Sequence, residues 1–333
     1  MDFKGRDFLK ISDFSEMELR YLLDVAKIFK KYKHEGKNHK YFPNKNIAIV
    51  FEKTSTRTRC SFEVAGYDLG MGVTYLDPSG SQMGHKESIA DTARVLSRFY
   101  EGIEFRGFEQ KTVDELAKYA SVPVWNGLTD FCHPTQALAD FLTIEEHFGS
   151  LNGLTIAFMG DTYNNVSNSL MMMSAKMGVN YIACGPKERA PDLEVVAQCQ
   201  AVATRNNCTI IVTDNPQDIA GRADVIYTDV WLSLGEPTEK WGERIELLKP
   251  YQVNQNLMDM AKSTAIFMHP LPAFHDLNTK IAKDVAEKFG ISEMEVTNEV
   301  FESSRSLVFE EAENRMHTIK SVVYLTLKDK EEK

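Results

Sequence analysis

Apolar positions along the chain recur first at helical spacing, then as short runs that alternate with further helical stretches. Between Ser15 and about Lys33, residues Leu19, Leu22, Leu23, Val25, Ala26, Ile28 and Phe29 follow the 3.6-residue repeat, and Ser15 with Glu18 forms an S-x-x-E capping box at the start. This predicts a helix. Strand-like runs follow at Asn46 to Phe51, Val73 to Leu76, Gly102 to Phe105 (extending to Arg106) and Val122 to Trp125, interleaved with helical stretches such as Arg57 to Leu69 and Glu87 to Phe99. Such alternation predicts a parallel α/β sheet.

A helical stretch from Pro134 to His147 leads into Gly149, Asn152 and Gly153, a turn-rich point that marks a domain boundary. The rhythm then resumes with Leu154 to Met159, Tyr181 to Cys184, Thr209 to Val212, Val225 to Thr228 and Ala265 to Met268. A last amphipathic pattern from about Glu311 to Leu327 is long enough to return to the first half. The predicted fold is α/β: two tandem domains, residues 1–150 and 151–310, each a parallel sheet flanked by helices, with a C-terminal helix over 311–333 packing back on the first. A length of 333 residues suits two such domains.

Composition narrows the function. With 43% hydrophobic and 26% charged residues the chain is ordinary for a globular protein, and no apolar stretch approaches the roughly 20 residues of a membrane span. The amino terminus lacks the apolar core of a secretory signal, so a cytoplasmic location is the expectation. A net charge of −10 is the wrong sign for tracking a nucleic acid backbone, and the basic run from Lys27 to Lys40 reads as a solvated helix terminus. Five cysteines without CxxC spacing argue against a disulfide framework or a cysteine zinc site and read as reduced packing residues.

The most informative segment runs from Phe51 to Cys60, where a strand gives way to a helix through Ser55, Thr56, Arg57 and Thr58. A strand-to-helix turn leaves free N–H groups at the positive end of a helix, the hydroxyls add donors, and Arg57 adds a rigid charged one; together they suit a phosphate. The plainer alternative is an N-cap followed by surface arginines. A second cluster, His133 to Gln136, also enters a helix, and a His beside a Gln can donate to a carbonyl oxygen, although a lone histidine there also fits a capping or core role. Arg106 ends a strand at the carboxyl edge, where open α/β sheets bind ligands.

In the second half, Phe158 to Asn165 occupies the place of a dinucleotide loop but has only Gly160 of the G-x-G-x-x-G pattern, so a nicotinamide or flavin is disfavoured. Asn164 and Asn165 offer amides suited to a small polar ligand, and Met171 to Met173 read as core filler. Asp229 ends another strand, as a helix cap or as a partner for an ammonium group, ahead of the flexible Ser233, Leu234 and Gly235. His269, Pro270, Leu271 and Pro272 make a stiff turn whose carbonyls have few internal partners. Arg315 could reach a binding site from the last helix, or form a surface salt bridge.

Taken in order, Ser55 to Thr58, the loop Ser81 to Gly84, Phe105 to Gly107, His133 to Gln136, Asn164 with Asn165, Asp229 with Ser233 to Gly235, and Glu313 to Thr318 resemble the aspartate/ornithine carbamoyltransferase family, in its ornithine-type branch. The resemblance implies a homotrimer, or a multiple of trimers, with a carbamoyl phosphate domain first and an amino acid domain second. It implies that Ser55, Thr56, Arg57, Thr58, Arg106 and Arg315 hold the phosphate and that Gln82 is supplied by a neighbouring subunit. His133, Arg57 and Thr58 would polarise the carbamoyl oxygen, while Gln136 and the carbonyls of Pro270 and Leu271 hold the carbamoyl amide. Asn165, Asp229, Ser233 and Leu234 would take ornithine. Citrulline and phosphate would be the products, with no metal or organic cofactor required.

Two positions depart from the ornithine-type pattern. Pro270 stands where that branch carries the cysteine of His-Cys-Leu-Pro, keeping the carbonyl but removing a thiol near the reacting amine, and Leu234 replaces a methionine of similar volume. Asn168 stands where aspartate-specific relatives place an arginine, which argues against aspartate as substrate. The proline leaves two alternatives open: a carbamoyltransferase for another amine such as putrescine, or a binding protein without turnover.

Overall fold

Ser15 caps the first helix, α1 (Glu16–His34), as its spacing predicts: its hydroxyl accepts from the Glu18 N–H at 3.3 Å, and the Glu18 carboxylate accepts from the Ser15 N–H at 2.7 Å. The computed structural model describes residues 1 to 329 apart from Ser81, Gln82, His85, Leu234 and Gly235. Contacts divide the chain into two units, Met1–Leu142 with Glu313–Lys333, and Thr143–Ala312.

The first unit continues with β1 (Asn46–Phe51), α2 (Thr56–Asp68), β2 (Gly72–Leu76), α3 (Ile89–Phe99), β3 (Gly102–Arg106), α4 (Gln110–Tyr119) and β4 (Val124–Leu128), and α5 (Pro134–Phe148) begins in it. Its four strands are parallel, in the order β2-β1-β3-β4. The chain leaves β1 outward to β2 and then crosses back to β3, so the order reverses between β1 and β3; their carboxyl ends flank the crevice where such sheets bind ligands. Ile47 to Phe51 are all buried, as a strand covered on both faces requires. The fourth strand begins two residues later than the pattern predicts, because Pro123 has no N–H to give the ladder and contributes only its carbonyl, to Ile103 N.

The second unit contains β5 (Thr155–Met159), α6 (Asn165–Met177), β6 (Asn180–Cys184), α7 (Leu193–Arg205), β7 (Ile210–Thr213), β8 (Val225–Thr228), α8 (Trp241–Leu248), α9 (Gln255–Met260), β9 (Ile266–Met268), α10 (Lys280–Phe289) and α11 (Asn298–Phe301). Its parallel sheet runs β7-β6-β5-β8-β9, with the reversal between β5 and β8. Met171 and Met173 are fully buried, in keeping with a core role.

The last helix, α12 (Val308–Leu327), joins the first unit from Glu313 onward. There the Lys320 ammonium reaches the Asp68 carboxylate at 2.6 Å, and the Trp125 indole N–H donates to Thr326 at 3.0 Å. The basic run ends α1 among ion pairs, Lys33 with Asp68 and Lys37 with Glu35. All five cysteines are free; Cys132, Cys184, Cys199 and Cys208 are buried, whereas Cys60 lies exposed on α2 and is not the packing residue expected, because its position turns away from the sheet. Among the described residues no helix is long and apolar enough to cross a membrane.

Candidate active site

In the first unit, β1 ends at Phe51 and the chain enters α2 through Ser55, the N-cap, whose hydroxyl accepts from the Thr58 N–H at 3.2 Å. The cap and the anion site expected here are therefore not alternatives, since the cap fixes the loop whose remaining N–H groups point out of the helix start. Thr56 is exposed, Arg57 is half-buried and Thr58 is buried. Register places Arg106 opposite Phe51, across the reversal point. The Thr58 Oγ1 accepts from Arg106 Nη1 at 3.2 Å and from Arg315 Nη2 at 3.0 Å, so one hydroxyl gathers guanidiniums from β3 and α12. Arg315 is 2% exposed, which removes the surface alternative for it.

His133 lies just ahead of α5 in the field of Arg315, Arg106 and Arg57. Burial above all, reinforced by those three cations, drives its pKa well below the ordinary value, leaving a neutral imidazole. Gln136, in the first turn of α5, is buried and donates from its amide to Asp140 at 2.8 Å. Burial lowers the pKa of Arg106 to about 10, against the opposing pull of Glu104, so it stays charged at neutral pH. Nearby, a pocket of about 510 Å³ is lined by Phe51, Glu52, Met83, Phe108 and Glu109 among others; its acidic side chains do not suit an anion, and none of the arginines lines it.

In the second unit, Asn164 caps α6, accepting from Ser167 N at 2.8 Å, and Asn165 opens the helix. The Asn164 amide approaches Asp229 Oδ2 at 3.5 Å, across the β5/β8 reversal. Asp229 accepts from the Val230 N–H at 2.8 Å, and burial raises its pKa to about 6 against the pull of His269 and that hydrogen bond. Ser233 is exposed, and its N–H donates to Glu236 at 2.9 Å. Pro270 is buried and Leu271 half-buried in the turn after β9, with Leu271 at φ +51°. Gln82 and Leu234 lie outside the described residues.

Residues 6–146 match the model of the carbamoyl-P binding domain of aspartate/ornithine carbamoyltransferases, and residues 152–326 match that of their Asp/Orn binding domain. The chain belongs to the aspartate/ornithine carbamoyltransferase family. It is 60% identical over 324 residues to a protein of Treponema denticola named a catabolic ornithine carbamoyltransferase, covering 97% of this chain and 96% of that one. It is 54% identical to an ornithine carbamoyltransferase of Streptococcus suis, covering 98% and 97%. The solved ornithine carbamoyltransferase of Pyrococcus furiosus matches with a TM-score of 0.90 at 40% identity over 98% of each chain.

Three further features stand beside the expected residues: Glu104 and the Glu236–Arg244–Asp161 chain, which the sequence did not single out, and the ring of His269, which it placed in the turn without a role. Glu104 on β3 is fully buried with no hydrogen-bond partner on either carboxyl oxygen among the described residues, packed where a Cβ on Gly127 would fall 1.8 Å from it and 3.1 Å from the Thr58 methyl. Burial, outweighing Arg106 and Arg315, raises its pKa well above the carboxylate range and favours the protonated acid. In the second unit, Glu236 accepts from Ser233 N and from Arg244 Nη2 at 2.9 Å, and Arg244 reaches Asp161 at 3.4 Å. His269 is fully buried and holds the Pro270–Leu271 turn through its ring.

Proposed function

We infer that the protein transfers the carbamoyl group of carbamoyl phosphate to the δ-amine of L-ornithine, giving L-citrulline and phosphate. The observation that carries this reading is the convergence of Arg106 and Arg315 on Thr58 at the capped start of α2, with a neutral His133 in their field, in a chain 60% identical to an ornithine carbamoyltransferase. Two guanidiniums, Arg57 and the N–H groups of the helix start supply charge and fixed donors for a phosphate. A neutral imidazole can donate to the carbamoyl oxygen without adding another cation to the cluster.

In this reading Ser55, Thr56, Arg57, Thr58, Arg106 and Arg315 take the phosphate. Arg57, Thr58 and His133 polarise the carbamoyl oxygen. Gln136 and the carbonyls of Pro270 and Leu271 take the amide, while Asn165, Asp229, Ser233 and Leu234 take ornithine. The neutral δ-amine attacks the carbamoyl carbon, a tetrahedral intermediate places its negative charge on the polarised oxygen, and the C–O bond to phosphate breaks as the phosphate accepts the amine's proton. No metal or organic cofactor enters this scheme. We further propose a homotrimer or a multiple of trimers, with Gln82 completing a neighbour's site, and a cytoplasmic location. The likeness to a protein named catabolic supports a cellular direction from citrulline and phosphate toward ornithine.

The test is a ureido-product assay with carbamoyl phosphate and, in parallel, ornithine, putrescine, N-acetylornithine and aspartate. Clear preference for ornithine is expected. Preference for putrescine would move the reading to another amine, with Pro270 the motivating difference; ligand binding without any product would leave a non-catalytic binder. Arg57→Ala is expected to abolish turnover in a folded protein, and retained activity would overturn the anion-pocket assignment.

A further inference from the structure

At the far end of α1, His34 meets α12 at Glu313 and His317. The Glu313 Oε1 stands 2.7 Å from His34 Nε2 and 3.3 Å from His317 Nε2, and all three ligand-type atoms lie within 4.8 Å of one another. Glu313 and His317 are one helical turn apart on the same face, and the two imidazoles meet edge to face at 6.1 Å. His317 is fully buried and fixed, whereas the His34 and Glu313 side chains are 57% and 40% exposed, leaving an open approach from solvent.

We propose that His34, Glu313 and His317 form a binding site for a divalent transition-metal ion, with water in the remaining position. Two imidazoles and one carboxylate are the donor set of open zinc sites and suit Zn²⁺, Co²⁺ or Ni²⁺, while Mg²⁺ and Ca²⁺ demand oxygen ligands. Ligand bonds of about 2.0–2.1 Å place tetrahedral ligand atoms roughly 3.3 Å apart; the 2.7 Å and 3.3 Å separations from Glu313 bracket this, and the two imidazole nitrogens, within 4.8 Å of each other, close on it by movement of the exposed His34. Lys30, one turn before His34 and hydrogen-bonded to Asn314 at 2.9 Å, opposes a dication and weakens the site.

Occupancy has a structural consequence. The ion would tie the end of α1 to the turn of α12 that carries Arg315, whose guanidinium reaches Thr58. It would thus stiffen the support of the anion pocket without touching it.

The experiment uses the full-length protein stripped with chelator and titrated with Zn²⁺ by calorimetry, with Mg²⁺ as control. Uptake of one Zn²⁺ per chain, a raised melting temperature and no Mg²⁺ uptake are expected. His34→Ala is expected to weaken Zn²⁺ binding by about tenfold or more while its metal-free turnover matches the parent. Co²⁺ should give the visible band of a four- or five-coordinate site in the parent and lose it in His34→Ala. Absence of Zn²⁺ uptake at micromolar concentrations would overturn the proposal. So would uptake unchanged in both His34→Ala and Glu313→Gln, which would place the ion elsewhere, for example on exposed Cys60.

Discussion

The ring Nδ1 of His269 accepts a hydrogen bond from the backbone N–H of Leu271 at 3.0 Å. Accepting there puts the ring proton on Nε2, which faces Glu295 Oε1 at 3.3 Å in a fully buried pair. The His269 N–H is in turn held by Glu311 at 3.0 Å, and Glu311 also accepts from Tyr227. Leu271, at φ +51°, adopts a left-handed conformation costing a leucine about 1–2 kcal/mol, which persists because its surroundings over-determine it. The turn whose carbonyls are proposed to hold the carbamoyl amide is thus set by an imidazole two residues away. His269→Leu is expected to lower kcat/KM for carbamoyl phosphate by on the order of 100-fold, the effect of displacing a positioning group by about 1 Å. His269→Asn, whose side-chain oxygen can take the place of Nδ1, should recover part of it. Equal kinetics in the two variants would dissociate the ring from the turn.

Thr58 joins Arg106 and Arg315 through one hydroxyl. Thr58→Val keeps the shape and removes the acceptor for two charged donors, whose hydrogen bonds are worth roughly 1.5–3 kcal/mol each. The expected result is a KM for carbamoyl phosphate raised by about one to two orders of magnitude with the fold intact by circular dichroism. An unchanged KM would mean that the two arginines are placed by packing alone.

Glu104 is buried in the field of Arg106 and Arg315. Its folded pKa is raised, so above the unfolded pKa of about 4.3 the unfolded chain releases a proton that the folded chain retains, and folding stability falls as pH rises from there toward the folded pKa. Glu104→Gln removes this dependence. Its melting temperature relative to the parent should therefore climb as pH rises above about 4.5, with turnover close to the parent's because glutamine mimics the protonated acid. A constant difference across that range would show that Glu104 is ionised.

Local signals were legible in the sequence because they act over a few residues: the Ser15–Glu18 box, the Ser55 cap and the end of β3 at Arg106 all sit where the pattern places them. Glu104 was not. In Gly102 to Arg106 it alternates with Ile103 and Phe105 as a solvent-facing strand residue would, but a parallel sheet is covered on both faces, and Thr58 and Gly127 close over it. The Glu236–Arg244–Asp161 chain and the His269–Glu295 pair link residues 8 to 83 positions apart, and charged residues of this kind look like ordinary surface in a single sequence. The resemblance pointed to the Pro270–Leu271 carbonyls and included His269 in the motif, yet it assigned no role to the ring that shapes the turn.

Asp229 supplies the pH test of the second unit. Burial raises its pKa to about 6, so it is a carboxylate at neutral pH and takes up a proton as pH falls through 6. If it holds the α-ammonium of ornithine, affinity must fall with that protonation, by about tenfold per pH unit once below the pKa. Ornithine itself confuses the measurement, because its δ-amine also titrates and only the neutral form reacts. Norvaline, which has the same α-amino acid head and no δ-amine, separates the two. Its dissociation constant, measured by calorimetry in the presence of carbamoyl phosphate, should be flat from about pH 7 to 8 and rise below about 6. Asp229→Asn should weaken binding at pH 7.5 and flatten the profile, since the amide does not titrate. A parent profile that stays flat to pH 5 would place the ammonium against another group and leave Asp229 as a cap for the loop that begins at Val230.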